Sequence, residues 1–419
     1  MKKIFYTIGI ILLFIITNFS VLTIYWFLRP NKSEIHKDFV FEYNIIIKDE
    51  NHNFLTDAIE WNGSYYFIYM NNKNHAGSSS SKLILLKTND FKTWINIKNF
   101  SGNGFDIRDP KLAVINNRLF IYCLLNDGLI AAPKKTSYFY TDDGINFSEI
   151  SDIQNADSWL FWKPQSFDNI TWYVTAYWHK HGKTALFNST DGINWNLIKI
   201  INEGNGNDES AIIFMNDGRL LCTIRAEIFP DNAIGSYKSG TLIGISSYPF
   251  LDWNFTFTHQ TRLDGPHLFK IENKIFAIAR YQPEMDIFLT QNGGVFSTKR
   301  TSIYLLNETS ITRITDLPSS SDTSYGSVLV KKNEIYIAYY TSSIKNDNIW
   351  LYGMLLPTEI RMIKTTVSNL LDISNSPIRF THKQPYISYL LCIISSISYY
   401  FIIKKLNKNI KSKKNASKK

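Results

Sequence analysis

Two uncharged apolar runs bracket the chain, residues 4 to 28 and Tyr386 to Ile403, and everything between them alternates. In the body, short apolar or aromatic strands such as Ser64–Tyr69 and Glu334–Tyr339 are broken by polar turns. Six of these turns match: Trp61-Asn62-Gly63, Asn116-Asn117-Arg118, Asp168-Asn169-Ile170, Asn216-Asp217-Gly218, Glu272-Asn273-Lys274 and Lys332-Asn333-Glu334. Asn, Asp and Gly suit tight hairpins because they tolerate positive φ. The turns recur at roughly 50 to 60 residues, the length of a four-stranded blade. The pattern predicts an all-β fold, a six-bladed β-propeller over residues 38–357, followed by a linker over 358–385.

The terminal runs read as transmembrane helices. At about 1.5 Å per residue the first exceeds the ~30 Å apolar core of a bilayer, and the second is near the lower limit. Lys2 and Lys3 precede the first run, and Lys404-Lys405 open a basic tail over 404–419. Positive ends face the cytoplasm, which predicts two cytoplasmic termini and an extracellular or lumenal propeller. A cleaved signal peptide competes for the first run, but no small-residue cleavage pattern follows Leu28. A helix or strand packed on the domain competes for the second.

The formal charge of +9 changes little in this picture. Of 45 basic residues, Lys2, Lys3 and eight lysines from Lys404 onward flank the apolar runs, which leaves 35 basic against 36 acidic groups. A nearly neutral body excludes a basic groove for nucleic acid. Cys123, Cys222 and Cys392 fall in separate repeats or in the second apolar run, so no disulfide is expected. No Cys/His spacing suggests a metal site, and no cofactor is expected.

Three repeats share a motif: Thr88-Asn-Asp-Phe-Lys-Thr-Trp94, Thr141-Asp-Asp-Gly-Ile-Asn-Phe147 and Ser189-Thr-Asp-Gly-Ile-Asn-Trp195. Degraded copies are expected at Ser246–Trp253 and Thr290–Phe296. Asp90, Asp143 and Asp191 are suited to bind backbone amides of their own turns, a structural role. The motif resembles the Asp-box of sialidase-type propellers.

In a blade whose first two strands form a hairpin, the start of one strand and the end of the next meet at one rim. Those positions hold Asp57, Arg108-Asp109, Trp162-Lys163, Glu209, His267 and Tyr325, and opposite them Tyr69, Tyr122, Arg225, Arg280 and Tyr339-Tyr340. Charged groups at matched points of apolar hairpins point to one shared pocket. The order Glu209, Arg225, Arg280, Tyr325 resembles that of the sialidases across residues 50 to 357. The resemblance implies a glycan-binding site on a membrane-anchored, retaining exo-glycosidase for terminal, acidic sugars. In it Tyr325 is the nucleophile, Glu209 its base, and Arg225 with Arg280 a carboxylate clamp. The family's first-blade arginine has no counterpart in Phe54-Leu-Thr-Asp57, and Arg108 is the candidate substitute. The loop of blade one carries His75 but no acid, so the proton donor stays open among Asp57, Asp109 and His75. Trp162, His267 and Tyr340 are further candidates for substrate contact. A propeller that binds glycans or a partner without turnover is the rival reading.

Overall fold

The computed structural model of the chain describes residues 2–228 and 233–416. Six antiparallel sheets follow one another along it. Blade one is β2 (His52–Trp61), β3 (Ser64–Asn72), β4 (Lys82–Thr88) and β5 (Ile95–Ser101); blade two is β6 (Asp106–Ile115), β7 (Arg118–Asn126), β8 (Lys135–Thr141) and β9 (Ser151–Asp152). In blade three the inner strand is split into β10 (Trp159–Phe161) and β11 (Gln165–Ser166), ahead of β12 (Trp172–Trp178), β13 (Lys183–Ser189) and β14 (Asn196–Glu203). Blade four is β15 (Asn207–Phe214), β16 (Leu220–Ala226), β17 (Gly240–Ser246) and β18 (Asn254–Thr258); blade five is β19 (Asp264–Ile271), β20 (Lys274–Tyr281), β21 (Arg300–Leu306) and β22 (Ile311–Asp316). Blade six is β23 (Thr323–Lys331), β24 (Glu334–Thr341) and β25 (Glu359–Thr366), completed on its outside by β1 (Glu42–Lys48). The chain is a six-bladed β-propeller. All six predicted turns are there, each with at least one residue at positive φ: Asn62, Asn116, Asn169, Gly218, Glu272 and Lys332.

The turns of Asp90, Asp143 and Asp191 do what their composition suggests. Asp143 Oδ1 accepts the amides of Ile145 and Asn146 at 2.8 Å, and Asp90 and Asp191 repeat the pattern. The closing aromatic packs inward. Trp195 is fully buried with its ring edge-on to Phe161 of its own blade and to Tyr122 of blade two. Ser246–Trp253 holds the equivalent place in blade four, where Trp253 Nε1 donates to Phe250 O at 2.9 Å as Trp195 Nε1 does to Gly192 O at 3.1 Å. Thr290–Phe296 is no such turn: it lies between β20 and β21, on the opposite rim. Cys123, Cys222 and Cys392 are free thiols.

The ring extends past the expected boundary at 357. A blade whose outermost strand comes from the N-terminus needs a third strand after β24, and β25 supplies it. Pairing runs from Glu42 against Lys364 to Lys48 against Glu359, so the two ends of the ring are sewn together within one sheet. The segment expected as a linker is docked as well. After β25 comes a short helix, Val367–Ser374, capped by the Thr366 hydroxyl. Thr381 O then accepts from Tyr281 Oη at 2.9 Å, and Phe380 stacks on Tyr304.

The terminal runs form helix α1 (Lys2–Leu28) and a long helix that, with α2 (Trp350–Gly353) and α3 (Val367–Ser374) between, is α4 (Tyr386–Ala416). Phe5–Leu28 and Tyr386–Lys408 are each long and apolar enough to cross a membrane. The pair is antiparallel: Tyr6 Oη donates to Asn407 Oδ1 at 2.8 Å, and Tyr399 Oη to Ile10 O at 2.6 Å. The expected tail continues α4 as far as Ala416; residues 417–419 lie outside the described residues.

Candidate active site

A single irregularity builds the site. In each blade the innermost strand carries one extra residue against its neighbour: between Phe54 and Asp57, Arg108 and Lys111, Phe161 and Gln165, Asn207 and Ser210, Asp264 and His267, and Ser324 and Ser327. A bulge bends the strand and re-aims a side chain. Leu55, Asp109, Gly265 and Tyr325 stand first in their bulges at φ between 47° and 64°. Proline follows at Pro110 and Pro266, where the ladder needs no amide. The bulges place Asp109, Trp162, Lys163, Asp208, Glu209 and Tyr325 around the axis.

Tyr325 Oη donates to Glu209 Oε1. Glu209 Oε2 accepts the Gly265 amide at 2.6 Å and lies 3.0 Å from Arg225 Nη1. A Cβ on Gly265 would sit 2.6 Å from the Tyr325 ring, so only glycine allows this approach. Burial raises the pKa of Tyr325 well above the usual phenol value, and the carboxylates of Glu209 and Asp109 add to the rise. Trp162 lies beside Tyr325, its indole anchored to Pro266 O at 2.8 Å.

The two clamp arginines are already engaged. Arg225 makes a two-pronged contact with Asp208 and is also within 3.6 Å of Glu227 and Asp264. Arg280 holds Thr323 O at 2.8 Å, Tyr340 Oη at 3.0 Å and Asp322 Oδ1 at 3.3 Å. Asp322 is the hub of this side: it also receives His75 Nδ1 at 2.7 Å, Tyr340 Oη at 2.8 Å, Trp350 Nε1 at 2.8 Å and His52 Nε2 at 3.0 Å. Burial alone would raise its pKa, but His75 and His52 hold it well below the usual range. Tyr340 is wholly buried in this network.

The remaining candidates separate by partner. Asp57 is buried, bonded to Lys163 Nζ at 2.6 Å and to the Leu112 amide at 2.7 Å, with His267 Nδ1 at 3.8 Å. Burial opposes its charge, yet Lys163, His267 and Lys111 outweigh it and lower its pKa. Asp57 is thus held ionised and is poorly suited to donate a proton. Asp109 is the reverse: it is partly exposed, one carboxylate oxygen is buried without a hydrogen-bond partner, and burial raises its pKa against Lys111 and Arg108. Arg108, the candidate substitute for the first-blade arginine, lies 3.3 Å from Asp106 and donates to His75 O at 3.1 Å. Asp57, Lys111, Trp162, His267 and Tyr325 share a cavity on the axis. Its volume is about 20 Å³, room for a single water.

Sequence reasoning passed over Asp208, Asp264, Asp322 and Lys111. The Asp-Pro-Lys and Gly-Pro-His steps inside apolar strands were the available signal, since proline interrupts an inner strand only at a bulge. Among the described residues, His52/His75/Asp322 and His181/Asp208/Glu227 bring donor atoms close enough to share a cation. Both carboxylate hubs, Asp322 and Asp208, already hold arginine.

No protein-family model and no curated protein matches the chain. Solved structures do. The phage phi92 endosialidase superposes with a TM-score of 0.56 at 13% identity, over 78% of this chain and 69% of that one. The fold is that of the sialidases. Trypanosoma rangeli sialidase aligns with a TM-score of 0.55 at 13% identity over 83% of this chain, which spans only 60% of that protein's length. The α-L-arabinofuranosidase of Fusarium graminearum gives 0.51 at 13% identity, over 81% of this chain and 99% of that one. This sialidase-like propeller therefore shares its architecture with enzymes of different sugar specificity, and its own chemistry has to be argued from its side chains.

Proposed function

We propose that the protein is a membrane-anchored exo-glycosidase that works through a tyrosyl-enzyme intermediate, and that the anchor is the pair α1 and α4 with their basic ends in the cytoplasm. The direct bond from Tyr325 Oη to Glu209 carries this reading. A buried phenol is a poor nucleophile until a base takes its proton. Glu209, fixed by the Gly265 amide and Arg225, is placed to do so.

In the first step Tyr325 Oη attacks the anomeric carbon while its proton passes to Glu209. Asp109, protonated, gives its proton to the leaving glycosidic oxygen. In the second step water, deprotonated by Asp109, releases the sugar, and Tyr325 recovers its proton from Glu209. The elevated pKa of Asp109 suits a donor that must start protonated. The arginines do not favour the acidic sugar that the resemblance implies: Arg225 and Arg280 are each bonded to protein carboxylates, and of the two lysines beside the cavity Lys163 is paired with Asp57, which leaves Lys111. An uncharged terminal sugar fits this balance better.

Full-length protein in detergent, assayed on 4-methylumbelliferyl glycosides of neutral and acidic sugars, tests the reading. Turnover is expected for at least one, falling more than a hundredfold in Tyr325→Phe and Glu209→Gln. Folded protein that cleaves none of them overturns it. The internal saturation of both arginines favours one rival, a glycan-binding propeller without turnover. Saccharide binding unchanged by Tyr325→Phe, with no hydrolysis, selects that rival.

A further inference from the structure

The rim that carries Tyr325 is also the rim from which both terminal helices depart. Inner strands start there, so the loops after β20 and β24 return to it. Those two loops hold the helices. On α1, Trp26 and Leu22 are buried against Ile349, and Thr23 Oγ1 lies 2.7 Å from Tyr352 Oη. Arg29 pairs with Glu284 at 2.8 Å, and Asp347 N donates to Arg29 O at 2.9 Å. On α4, Tyr389 Oη is bonded to Asp286. Leu22, Thr23 and Trp26 belong to the apolar stretch Phe5–Leu28, so the loop 342–358 packs on the membrane-crossing segment itself. The same short helix, α2, reaches the site: Trp350 Nε1 bonds Asp322, two residues before Tyr352 meets α1.

The same two loops also present bare apolar side chains, Ile287 and Phe288 in blade five and Leu355 in blade six, as does one further loop of this rim with Leu129 and Ile130 in blade two. The opposite rim also exposes Ile145, Ile170 and Tyr248, but beside the carboxylates of Asp90, Asp143, Asp168 and Asp191 in the same turns, which would lose water against a bilayer. Between the two helices runs a groove of about 640 Å³, lined by Val21, Ile24, Leu28 and Leu391, with the Arg29–Glu284 pair at its propeller end.

We propose that the site opens toward the bilayer and that its substrate is a saccharide carried on a membrane lipid, whose hydrocarbon chain lies in the groove between α1 and α4. This rests on the glycosidase reading. A sugar attached to a lipid reaches a membrane-facing rim by lateral diffusion, whereas a free glycan must enter the gap between propeller and bilayer.

Two measurements on the full-length protein in phosphatidylcholine nanodiscs test it. In a Cys392→Ser background, a fluorophore on Phe288→Cys is expected to lose more than half its emission to brominated lipid, and one on Tyr248→Cys, on the far rim, almost none. Equal quenching at both positions overturns the orientation. In the second, one panel of sugars is offered as dialkylglycerol glycosides in the disc and as soluble 4-methylumbelliferyl glycosides. A kcat/KM at least tenfold higher for the lipid-borne form is expected, with Leu391→Trp lowering it about tenfold through KM. Cleavage of the soluble arm alone, or equal cleavage of both, overturns the lipid substrate and leaves the glycosidase standing. Cleavage of neither overturns both.

Discussion

At the scale of single residues, the site is made by backbone conformations that ordinary side chains avoid. Tyr325 at φ 47° and Asp109 at φ 50° are held where an L-residue is uncommon, as candidate reacting groups often are. Gly265 shows how narrow the arrangement is. It lies at φ 64°, donates its amide to Glu209, and faces the Tyr325 ring. Gly265→Ala adds a methyl 2.6 Å from that ring and a conformational cost of about 1 kcal/mol. The expected outcome is at least a tenfold loss in kcat and a melting temperature lowered by about 2–4 °C or more, read from steady-state kinetics and calorimetry. On the proposed mechanism Asp109 sets the alkaline side of the pH dependence. Its pKa is raised in the folded protein, so its proton is retained above the ordinary carboxyl range and is lost as pH rises through the folded value. The alkaline limb of kcat/KM should therefore report Asp109, and Asp109→Asn should abolish that limb. The loss of rate in that variant should be smaller for aryl leaving groups, which need no protonation, than for alkyl ones. Folding stability contributed at this carboxyl declines over the same rise in pH, since the buried anion is disfavoured.

At the scale of the element, the blades were legible because hairpin turns and strand alternation are local. The six hairpin turns and the three amide-binding turns of Asp90, Asp143 and Asp191 could be read directly from residue types. What could not be read was the extra residue in every inner strand. A bulge flips the alternation by one, and its only local trace is an oddly placed proline or glycine, as at Pro110 and Gly265-Pro266. Glu209 and Tyr325 were locatable on a rim while Asp208, Asp264 and Asp322, which neutralise the arginines, were not: Asp208 reaches Arg225 across its own hairpin and Asp322 reaches Arg280 on the neighbouring blade, pairings that residue types alone do not show. Thr290–Phe296 imitated an Asp-box in residue types but occupies the wrong rim, which only the strand count reveals. The packing of the true motif gives a stability prediction. Trp195 has no exposed surface and lies between Tyr122 and Phe161. Trp195→Ala should cost about 3–5 kcal/mol, seen as a lower urea midpoint, and Trp195→Phe distinctly less.

At the scale of the molecule, helix α1 and the propeller are coupled by the path of the N-terminal segment. After α1 the chain descends along blade five, where the Glu34 amide donates to Asp316 Oδ2 at 2.8 Å and the His36 amide to Thr315 Oγ1 at 2.9 Å. It then turns up as β1, the outer strand of blade six. The segment that begins with α1 therefore ends in the strand that closes the ring. This could not be read from the sequence, because Glu42–Lys48 forms no hairpin with its neighbours and finds its partner more than 300 residues later. Two truncations separate the tether from the clasp. Removing residues 2–28 takes away the helix but leaves β1 to pair with β25. Removing residues 2–50 leaves the edge of β25 unpaired from Glu359 to Lys364, an open template for association with another chain. The shorter truncation is expected to keep one cooperative unfolding transition in detergent. The longer one should lose that cooperativity and run as aggregates on gel filtration. If both behave alike, β1 does not close the ring, and the stability of the propeller resides in the other five blades.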